Sequence, residues 1–286
     1  MTVQRTIAQK VVLEGIGLHT GNMTTMTFLP APENTGVRFV RVDLKDKPVI
    51  VANASNVSSA VRGTTIGDPA IAQVHTIEHI LAVFSALGID NIEVQLTNNE
   101  PPILDGSARP FAQAVLKAGF TEQKAEREYF VVTEPIIYEA ETTRFELNPS
   151  TGFEIDCTVI YKHPFLNQQQ RHMLVTEESF MNDLVAARTF CFDYEIEAIK
   201  RRGLGKGGDF SNAIIVGING VHNPDAQLRY PDEFVRHKML DLIGDLFLLG
   251  KRIQGKIIAV RPGHYHNIKY VQQIYHVMEK NKLKEQ

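Results

Sequence analysis

The feature that most constrains this sequence is a long apolar segment with two carboxylates inside it. Residues 239–249 read Met-Leu-Asp-Leu-Ile-Gly-Asp-Leu-Phe-Leu-Leu. A helix this apolar is mostly buried, and an ionised carboxylate within it is costly unless it is paired or binds a cation. His237, Asp241 and Asp245 recur every four residues, so a helix presents them on one face. The segment predicts a buried helix over 232–250 with a functional polar stripe; the alternative is a solvent-facing edge with two surface carboxylates.

A second stretch offers a further metal ligand. His75-Thr76-Ile77-Glu78-His79 opens an apolar segment with helical periodicity, predicted as a helix over 75–87. One of its imidazoles, together with His237 and Asp241, makes three protein ligands, the number that a catalytic zinc ion uses while a fourth position stays open. The stretch also matches the H-x-x-E-H pattern of inverted zincins, so a metallopeptidase is an alternative. In either case Glu78, beside a ligand histidine, suits a general base.

Composition narrows the class of protein. The chain of 286 residues is long enough for two domains, and its 43% hydrophobic content can form a real core. A net charge of −3 argues against nucleic acid as a partner. The two cysteines, Cys157 and Cys191, indicate a reducing cytoplasm rather than a disulfide framework. No apolar run reaches the roughly 20 residues that span a bilayer, so at most peripheral membrane contact is expected.

The order of predicted elements is similar in the two halves of the chain. Strands are expected near residues 9–14, 23–29, 36–41, 48–51, 91–96, 129–139, 143–148, 152–160, 171–176, 212–217 and 256–260. Helices are expected near 75–87, 108–118, 177–187, 194–202 and 232–250. Each half places strands before a ligand-bearing helix and an apolar strand after it, which predicts a topological repeat with the site between the two domains. The charged segment 121–128 has no apolar face and is the predicted boundary.

Two further segments carry possible site residues. Residues 203–208 read Gly-Leu-Gly-Lys-Gly-Gly and satisfy G-x-G-x-x-G by letter, but they follow a helical pattern and no helix opens behind them. We interpret them as a mobile loop that covers a ligand. His264 follows the strand near 256–260 on a short loop, a place that suits proton transfer. A non-enzymatic, metal-stabilised module is an alternative of another class, and it would normally close its site with four protein ligands.

These motifs together resemble one family. In order, they read Gly15-Ile16-Gly17-Leu18-His19-Thr20-Gly21, Thr76-Ile77-Glu78-His79, Ile103-Leu104-Asp105-Gly106-Ser107, Ala187-Arg188-Thr189-Phe190, the glycine-rich loop, His237-Lys238-Met239-Leu240-Asp241-Leu242-Ile243-Gly244-Asp245 and Gly263-His264. The chain strongly resembles the zinc-dependent UDP-3-O-acyl-N-acetylglucosamine deacetylases of Gram-negative lipid A synthesis. The resemblance implies Zn²⁺, with Fe²⁺ as an alternative in the cell, bound by His79, His237 and Asp241 and not by His75. Gly63 departs from those members that carry a cysteine there.

The resemblance also implies an α+β fold of two topologically similar domains. Each is expected to be a sheet with a helix pair, the helices of the two domains being packed face to face around the active site. The domains are predicted over 1–122, with His79 and Glu78, and 129–286, with His237, Asp241 and His264. An insert at about 193–213 is expected to form a hydrophobic passage for an acyl chain.

The expected reaction removes the N-acetyl group from UDP-3-O-(3-hydroxyacyl)-N-acetylglucosamine and releases acetate, the committed step of lipid A synthesis. Glu78 is expected to act as general base and His264 as general acid, held cationic by Asp245. The Thr189 hydroxyl would stabilise the oxyanion, and Lys238 would bind polar groups of the substrate or stabilise the transition state. Further substrate contacts are assigned to Leu18, Phe190, Ile196 and Gly208, with Glu195 at the nucleotide. The UDP-linked acylated glucosamine is the expected partner of a cytoplasmic monomer.

Overall fold

The computed structural model describes residues 2–225 and 227–282. The first half contains β1 (Val3–Ile7), β2 (Val11–Ile16), β3 (Met23–Pro30), β4 (Val37–Arg41), β5 (Val49–Val51), a 3-10 turn (Ala54–Asn56), β6 (Val57–Ser59), β7 (Thr65–Asp68), β8 (Ala72–Val74), α1 (Glu78–Ala86), β9 (Ile92–Leu96), α2 (Arg109–Ala118) and β10 (Phe120–Glu126). The second half contains β11 (Tyr129–Val131), β12 (Ile136–Ala140), β13 (Thr143–Asn148), β14 (Phe153–Ile160), β15 (Gln168–Leu174), α3 (Glu177–Asp183), β16 (Phe190–Phe192), a 3-10 turn (Asp193–Glu195), α4 (Ile196–Arg201), β17 (Ile214–Gly217), β18 (Gly220–Val221), α5 (Glu233–Phe247), β19 (Arg252–Val260) and α6 (His264–Lys282).

Two mixed sheets share one topology. The first has the strand order β2-β3-β9-β4-β5, and the second has the order β12-β13-β19-β14-β15, with β11 also beside β19. In each order the third strand runs antiparallel to the second and parallel to the fourth. Buried and partly exposed residues alternate along β9 and β19, as expected for strands with one face on a core. The predicted topological repeat is therefore confirmed.

The helices lie against these sheets and against each other. Phe84 of α1 meets Phe28 of β3 edge to face, with ring centroids 5.4 Å apart, and Tyr270 of α6 stacks on Phe145 of β13 at 5.0 Å. Helix α5 packs against α1, α6, β14 and β15. One hydrophobic cluster includes residues of both sheets and both site helices. The fold is α+β as predicted, and among the helices of the described residues we find none with the length and apolar character that crossing a membrane requires.

Helix α5 is buried over almost its whole length. Apart from Lys238 and Phe247, all of its residues are buried. Glu233 at its start is fully buried and bonds to Arg188, with Nε 2.9 Å from Oε1, and Arg236 binds Asp232 at 2.5 Å. These charged residues are thus neutralised locally, as burial requires. The predicted stripe of His237, Asp241 and Asp245 is what α5 contributes to the site described below.

Gly244 lets α5 approach the start of α1. A Cβ atom at Gly244 would lie 2.0 Å from the backbone oxygen of Glu78, a separation that real atoms do not adopt. Glycine within a helix is unfavourable by about 1 kcal/mol relative to alanine. The close contact of α1 with α5 explains why glycine is nevertheless found here.

Gly244→Ala should therefore push α1 away from α5. We expect the free energy of unfolding to fall by about 1–3 kcal/mol, as is usual when a core is overpacked, and Glu78 and His79 to be displaced. Urea unfolding followed by circular dichroism measures the first effect. Gly263→Ala is the matched control, since a Cβ there meets no atom within 4 Å, and it should change stability by less than about 1 kcal/mol. Equal stability of the two variants would contradict this account.

A partly buried arginine also ties the two halves together. Arg252 at the start of β19 donates to the carbonyls of Phe84, Ser85 and Ile89 at the end of α1 and pairs with Asp90. These carbonyls carry the negative end of the helix dipole, which favours a cation. Although burial lowers the pKa of Arg252 to about 10, the guanidinium stays charged at neutral pH. The contact fixes the end of α1 that lies away from the metal ligands.

Three segments differ from the sequence prediction. Residues 121–128, predicted as a boundary, mostly belong to β10, which pairs with β1; its exposed faces explain the missing apolar side. His264 is not on a loop but begins α6, a mostly polar helix that its pattern did not predict. Two small sheets, β6-β7-β8 and β16-β17-β18, interrupt the repeat at equivalent points, after β5 and after β15. The domain limits 1–122 and 129–286 stay a prediction, and residues 283–286 lie outside the described residues.

Candidate active site

Three buried side chains from two helices come together where α1 meets α5. His79 is the second residue of α1, and His237 and Asp241 lie one turn apart on α5. Their exposed fractions are 4%, 2% and 1%, and one ligand atom of each lies within 4.8 Å of the others. Asp241 Oδ1 is 3.6 Å from His79 Nε2 and 3.4 Å from His237 Nε2. The structure thus places the three predicted ligands in one cluster.

This cluster fits a divalent metal ion. Donors at about 2.0–2.1 Å from a tetrahedral zinc ion lie roughly 3.3 Å apart, close to the observed 3.4 and 3.6 Å. Asp241 Oδ1 is buried, and no hydrogen-bond partner for it exists among residues 2–225 and 227–282. A buried carboxylate oxygen without a partner is unfavourable, and a cation between the three donors would supply one. Two imidazoles and one carboxylate also match the donor types of catalytic zinc sites.

The two ligands on α5 are held in the protonation states that a metal requires. The His237 Nδ1 atom lies 3.1 Å from the carbonyl oxygen of Ala187 and donates to it, which leaves the lone pair on Nε2. Burial lowers the pKa of His237 to about 3 and keeps the ring neutral. Asp241 Oδ2 accepts a hydrogen bond from Lys238 Nζ at 2.7 Å. Burial raises the pKa of Asp241, but His237 and Lys238 outweigh it and hold the pKa well below its usual range.

Glu78 lies beside the cluster at the first position of α1. Its exposed fraction is 2%, and its Oε2 accepts from the backbone N–H of Thr64 at 2.9 Å. The other oxygen, Oε1, is 3.6 Å from His264 Nε2. Burial is the largest influence on this carboxyl and raises its pKa above the usual range. A carboxylate of raised pKa is a better proton acceptor near neutral pH.

His264 is held between three carboxylates. Its Nδ1 is 2.9 Å from Asp245 Oδ2, and its Nε2 is 3.7 Å from Asp241 Oδ2. Burial opposes the charged imidazolium, but Asp245, Glu78 and Asp241 outweigh burial and raise the pKa of His264 to about 9. Asp245 is itself fully buried, and its Oδ2 also accepts from Asn267 Nδ2 at 2.9 Å. His264 is therefore cationic at neutral pH, and its Nε2 faces the ligand cluster.

His75 is separated from this site. The predicted helix start at residue 75 is wrong, because α1 begins at Glu78 and Thr76 has a φ of 54°, outside the helical region. His75 and His79 are therefore not one helical turn apart, and His75 Nδ1 instead lies 3.0 Å from Thr65 Oγ1. The H-x-x-E-H match is thus not realised as two histidines on one helix face, so the metallopeptidase alternative loses its second ligand.

An apolar cavity of about 390 Å³ lies near the cluster of predicted metal ligands. The predicted substrate residues Leu18, Phe190, Ile196 and Gly208 line it, together with Thr189. The Phe190 ring is 6.1 Å from the His237 ring, and Lys238 Nζ lies 5.5 Å from the Phe190 centroid. Phe190 therefore lies between the cavity, which it lines, and the ligand His237.

Glu195 forms an ion pair that the sequence did not predict. Its Oε1 is 2.6 Å from Nη2 of Arg62, and its Oε2 accepts from the backbone N–H of Phe192 at 3.1 Å. Arg62 lies in the insert between β5 and α1, and Glu195 lies in the insert between β15 and α5. Arg62 also lines the cavity, so this pair joins the two inserts beside the passage. A contact of Glu195 with the nucleotide stays a prediction.

The glycine-rich loop packs on the turn that carries Leu18. The Gly207 N–H donates to the Leu18 carbonyl at 3.1 Å, and the Lys206 N–H donates to the His19 carbonyl at 3.3 Å. Glu100 is fully buried and accepts from the N–H of His19, at 3.0 Å, which orders this turn. The loop thus forms part of the cavity wall, through Gly205 and Gly208, and it does not stand at the start of a helix as a nucleotide-binding loop would.

Comparisons with known proteins place this chain in a family. The LpxC family model, described as UDP-3-O-acyl N-acetylglycosamine deacetylase, matches residues 4–276. A UDP-3-O-acyl-N-acetylglucosamine deacetylase of Bdellovibrio bacteriovorus is 42% identical over 96% of this chain and 90% of its own length. One from Geobacter sp. is 43% identical over 96% of this chain and 89% of its own length.

A third relative is longer than this chain. The "Bifunctional enzyme LpxC/FabZ" of Chlorobaculum tepidum is 40% identical over 99% of this chain but only 66% of its own length. The match therefore leaves a third of that protein without a counterpart here. Since the family model covers residues 4–276 and two relatives are 42% and 43% identical over 96% of this chain, the chain belongs to the UDP-3-O-acyl-N-acetylglucosamine deacetylase family.

Proposed function

We propose that this chain hydrolyses the N-acetyl amide of a UDP-linked 3-O-(3-hydroxyacyl)-N-acetylglucosamine, using zinc held by His79, His237 and Asp241. Family membership makes it a deacetylase of lipid A biosynthesis. The site assignment rests on the position of two acid–base groups, Glu78 and His264, beside the ligand cluster. His264 Nε2 lies 3.6 Å from Glu78 Oε1 and 3.7 Å from Oδ2 of the ligand Asp241. When bound, zinc, or iron(II) in its place, would polarise the acetyl carbonyl and lower the pKa of a coordinated water molecule from about 15.7 toward about 7.

Glu78 serves as the general base. The attacking water gives its proton to Glu78 as the water oxygen bonds to the acetyl carbon. Because the Thr64 N–H occupies Oε2, Oε1 is the oxygen that is free to face the water. Burial raises the pKa of Glu78, which brings the strength of this base closer to that needed at neutral pH.

His264 serves as the general acid. The amide C–N bond breaks only if the departing amine nitrogen receives a proton, and His264 Nε2 donates it. Asp245 holds the opposite nitrogen, Nδ1, at 2.9 Å and stabilises the cation before transfer. The products are acetate and the free amine of the glucosamine.

Thr189 and Lys238 support the reacting centre. Thr189 lines the passage next to Phe190, and we assign its hydroxyl to the oxyanion that forms on the acetyl oxygen. Lys238 uses one of its three donors on Asp241 Oδ2, which leaves donors for polar groups of the substrate. Burial opposes its charge, but Asp241 raises the pKa of Lys238 above the usual range, so it stays cationic.

The passage is assigned to the acyl chain. Leu18, Phe190, Ile196 and Gly208 provide apolar contacts along the 390 Å³ cavity, and each buried methylene contributes about 0.8 kcal/mol. Glu195 is assigned to the nucleotide side. We further propose a cytoplasmic monomer that binds this UDP-linked substrate, with at most peripheral membrane contact and no nucleic acid partner.

Gly208→Val should narrow the passage. A Cβ at Gly208 would lie 3.4 Å from the Leu18 side chain, so the two further methyl groups of valine enter space that the chain needs. If three methylenes lose their contacts, about 2.4 kcal/mol is lost, roughly 60-fold in kcat/KM. Steady-state kinetics on a long-chain substrate and a short-chain analogue measures the effect, and the short chain is the internal control. Equal losses for both chain lengths would place the acyl chain elsewhere.

The proposed function itself is tested with the purified, zinc-loaded protein. UDP-3-O-acyl-N-acetylglucosamine should yield equimolar acetate and free amine, and UDP-N-acetylglucosamine without an acyl chain should react far more slowly. A peptide library serves as the comparison for the metallopeptidase alternative. No acetate from any acylated substrate, with metal bound, would overturn the assignment.

A further inference from the structure

Thr64 is a fully buried residue whose hydroxyl has no part in the mechanism above, yet that hydroxyl lies 3.5 Å from His264 Nδ1 and the backbone N–H of the same residue binds Glu78. It lies just before β7, at the end of the loop that follows β6. Its backbone N–H donates to Glu78 Oε2 at 2.9 Å, and its hydroxyl donates to Asp245 Oδ1 at 2.5 Å. Its carbonyl accepts from the N–H of Ile77 at 3.3 Å. One residue thus bonds to carboxylates from both halves of the chain.

The hydrogen bond of the Thr64 hydroxyl bears on the orientation of the Asp245 carboxylate. A fully buried carboxylate needs hydrogen bonds in place of its water. Asp245 Oδ2 receives His264 and Asn267 at 2.9 Å each, whereas the contact of Oδ1 with a side chain is the Thr64 hydroxyl. At 2.5 Å this contact is in the range of a charge-assisted O–H···O⁻ bond. It fixes the rotation of the carboxylate and hence the direction in which Oδ2 meets His264.

The hydrogen bond of the Thr64 backbone N–H bears on the orientation of the Glu78 carboxylate. Because the Thr64 N–H holds Oε2, the other oxygen is left 3.6 Å from His264 Nε2. The same residue therefore sets the orientation of the base directly and that of the acid through Asp245. The carbonyl bond to Ile77 fixes Thr64 to the residue before α1, so neither contact depends on a free loop.

We propose that Thr64 is a positioning residue that sets the spacing of the general base and the general acid. The proposal rests on the proposed function, since it assigns Thr64 to the same reaction. It acts through its hydrogen bonds to Glu78 and Asp245, the second of which lies beside the longer contact of the hydroxyl with His264 Nδ1 at 3.5 Å. Its hydroxyl matters for the chemical step and not for substrate binding, because the acyl passage is lined by other residues.

The test compares three variants at this turn. Thr64→Val removes the hydroxyl at nearly constant volume and keeps the backbone N–H. We expect kcat to fall by roughly 10–100-fold, the usual effect of losing an orienting partner, while KM changes by less than about threefold and bound zinc stays at the wild-type level. Thr64→Ser keeps the hydroxyl and should restore most of kcat. Thr65→Val is the matched control, because the Thr65 hydroxyl contacts His75 outside the site, and it should leave kcat near wild type.

A double substitution separates positioning from general destabilisation. If Thr64 acts through Asp245, Thr64→Val should lower kcat by less than about threefold when Asp245→Asn is already present. Loss of zinc in Thr64→Val, a Thr64→Ser enzyme as slow as Thr64→Val, or fully additive losses in the double variant would each overturn the proposal. Failure of the proposed function is distinguishable, since then the wild-type protein with zinc bound would itself release no acetate.

Discussion

His237→Ala is expected to abolish tight zinc binding and to leave almost no deacetylase activity. It removes one of the three donors of the ligand cluster, and a metal contributes several kcal/mol of transition-state stabilisation. The activity should therefore fall by about 10³-fold or more. Metal analysis after dialysis measures the first effect, and acetate release measures the second. Far-ultraviolet circular dichroism should stay close to wild type, since the removed ring is small relative to the core around α5.

His75→Ala is the matched control for this prediction. It removes a histidine from the same sequence stretch as His79, but one that bonds to Thr65 and lies outside the ligand cluster. It should keep one equivalent of zinc and near wild-type activity, whereas His79→Ala should behave like His237→Ala. If His75→Ala lost its zinc, or if His79→Ala kept it together with full activity, the ligand assignment would be wrong.

The second large effect concerns pH. The active enzyme needs Glu78 ionised and His264 protonated, so kcat/KM should form a bell. Activity is lost as pH falls through the pKa of Glu78, which burial raises above its usual range. It is lost again as pH rises through the pKa of His264, which its three neighbouring carboxylates raise to about 9. The plateau therefore lies between these two values.

Each substitution should remove one side of this bell. Glu78→Ala should eliminate the acidic limb and His264→Ala the basic limb, each with a loss of roughly 10²–10⁴-fold in rate. Initial rates from about pH 5 to 10 with zinc content checked at each point provide the measurement. A His264→Ala enzyme within a few-fold of wild type, or one that kept its basic limb, would exclude His264 as the acid.

Helix α5 and its metal ligands could be predicted from the sequence, because polar residues within an apolar, buried helix need a specific partner. An apolar run such as 239–249 leaves few interpretations for Asp241 and Asp245, and helical spacing then places His237 beside them. The repeat was likewise predictable, since strand periodicity and the positions of the two site helices recur in each half. Resemblance to a family was needed to choose His79 over His75, because a helix drawn from residue 75 treats them alike. The positive φ of Thr76 separates them, and no pattern in the sequence signals it.

The residues that sequence patterns do not reveal share one property: their roles depend on contacts with distant parts of the chain. Thr64, Asn267 and Arg62 owe their roles to contacts over long sequence separations, with Asp245 or Glu195. Nothing in the neighbouring sequence distinguishes Thr64 from other threonines in polar turns. Arg62, whose partner Glu195 is 133 positions away, likewise has no local sequence pattern that indicates its ion pair. Strand β10 was missed because it is paired at the molecular surface and so lacks the apolar alternation of a core strand.

The two inserts interrupt the repeat at the same point, and this has a consequence for how specificity can change. The shared framework of sheets and helices carries the metal ligands, whereas the insert after β15 carries Phe190, Ile196 and Gly208 on the passage wall. Most of the wall of the proposed acyl passage therefore lies in a different stretch of sequence from the metal-ligand helices. Substitutions at Ile196 or Gly208 can change this wall without touching α1 or α5, whereas Thr64 and Thr189 limit how freely the rest of the inserts can vary. The chain length that such an enzyme accepts could thus change through a few residues of one insert while the metal site stays the same.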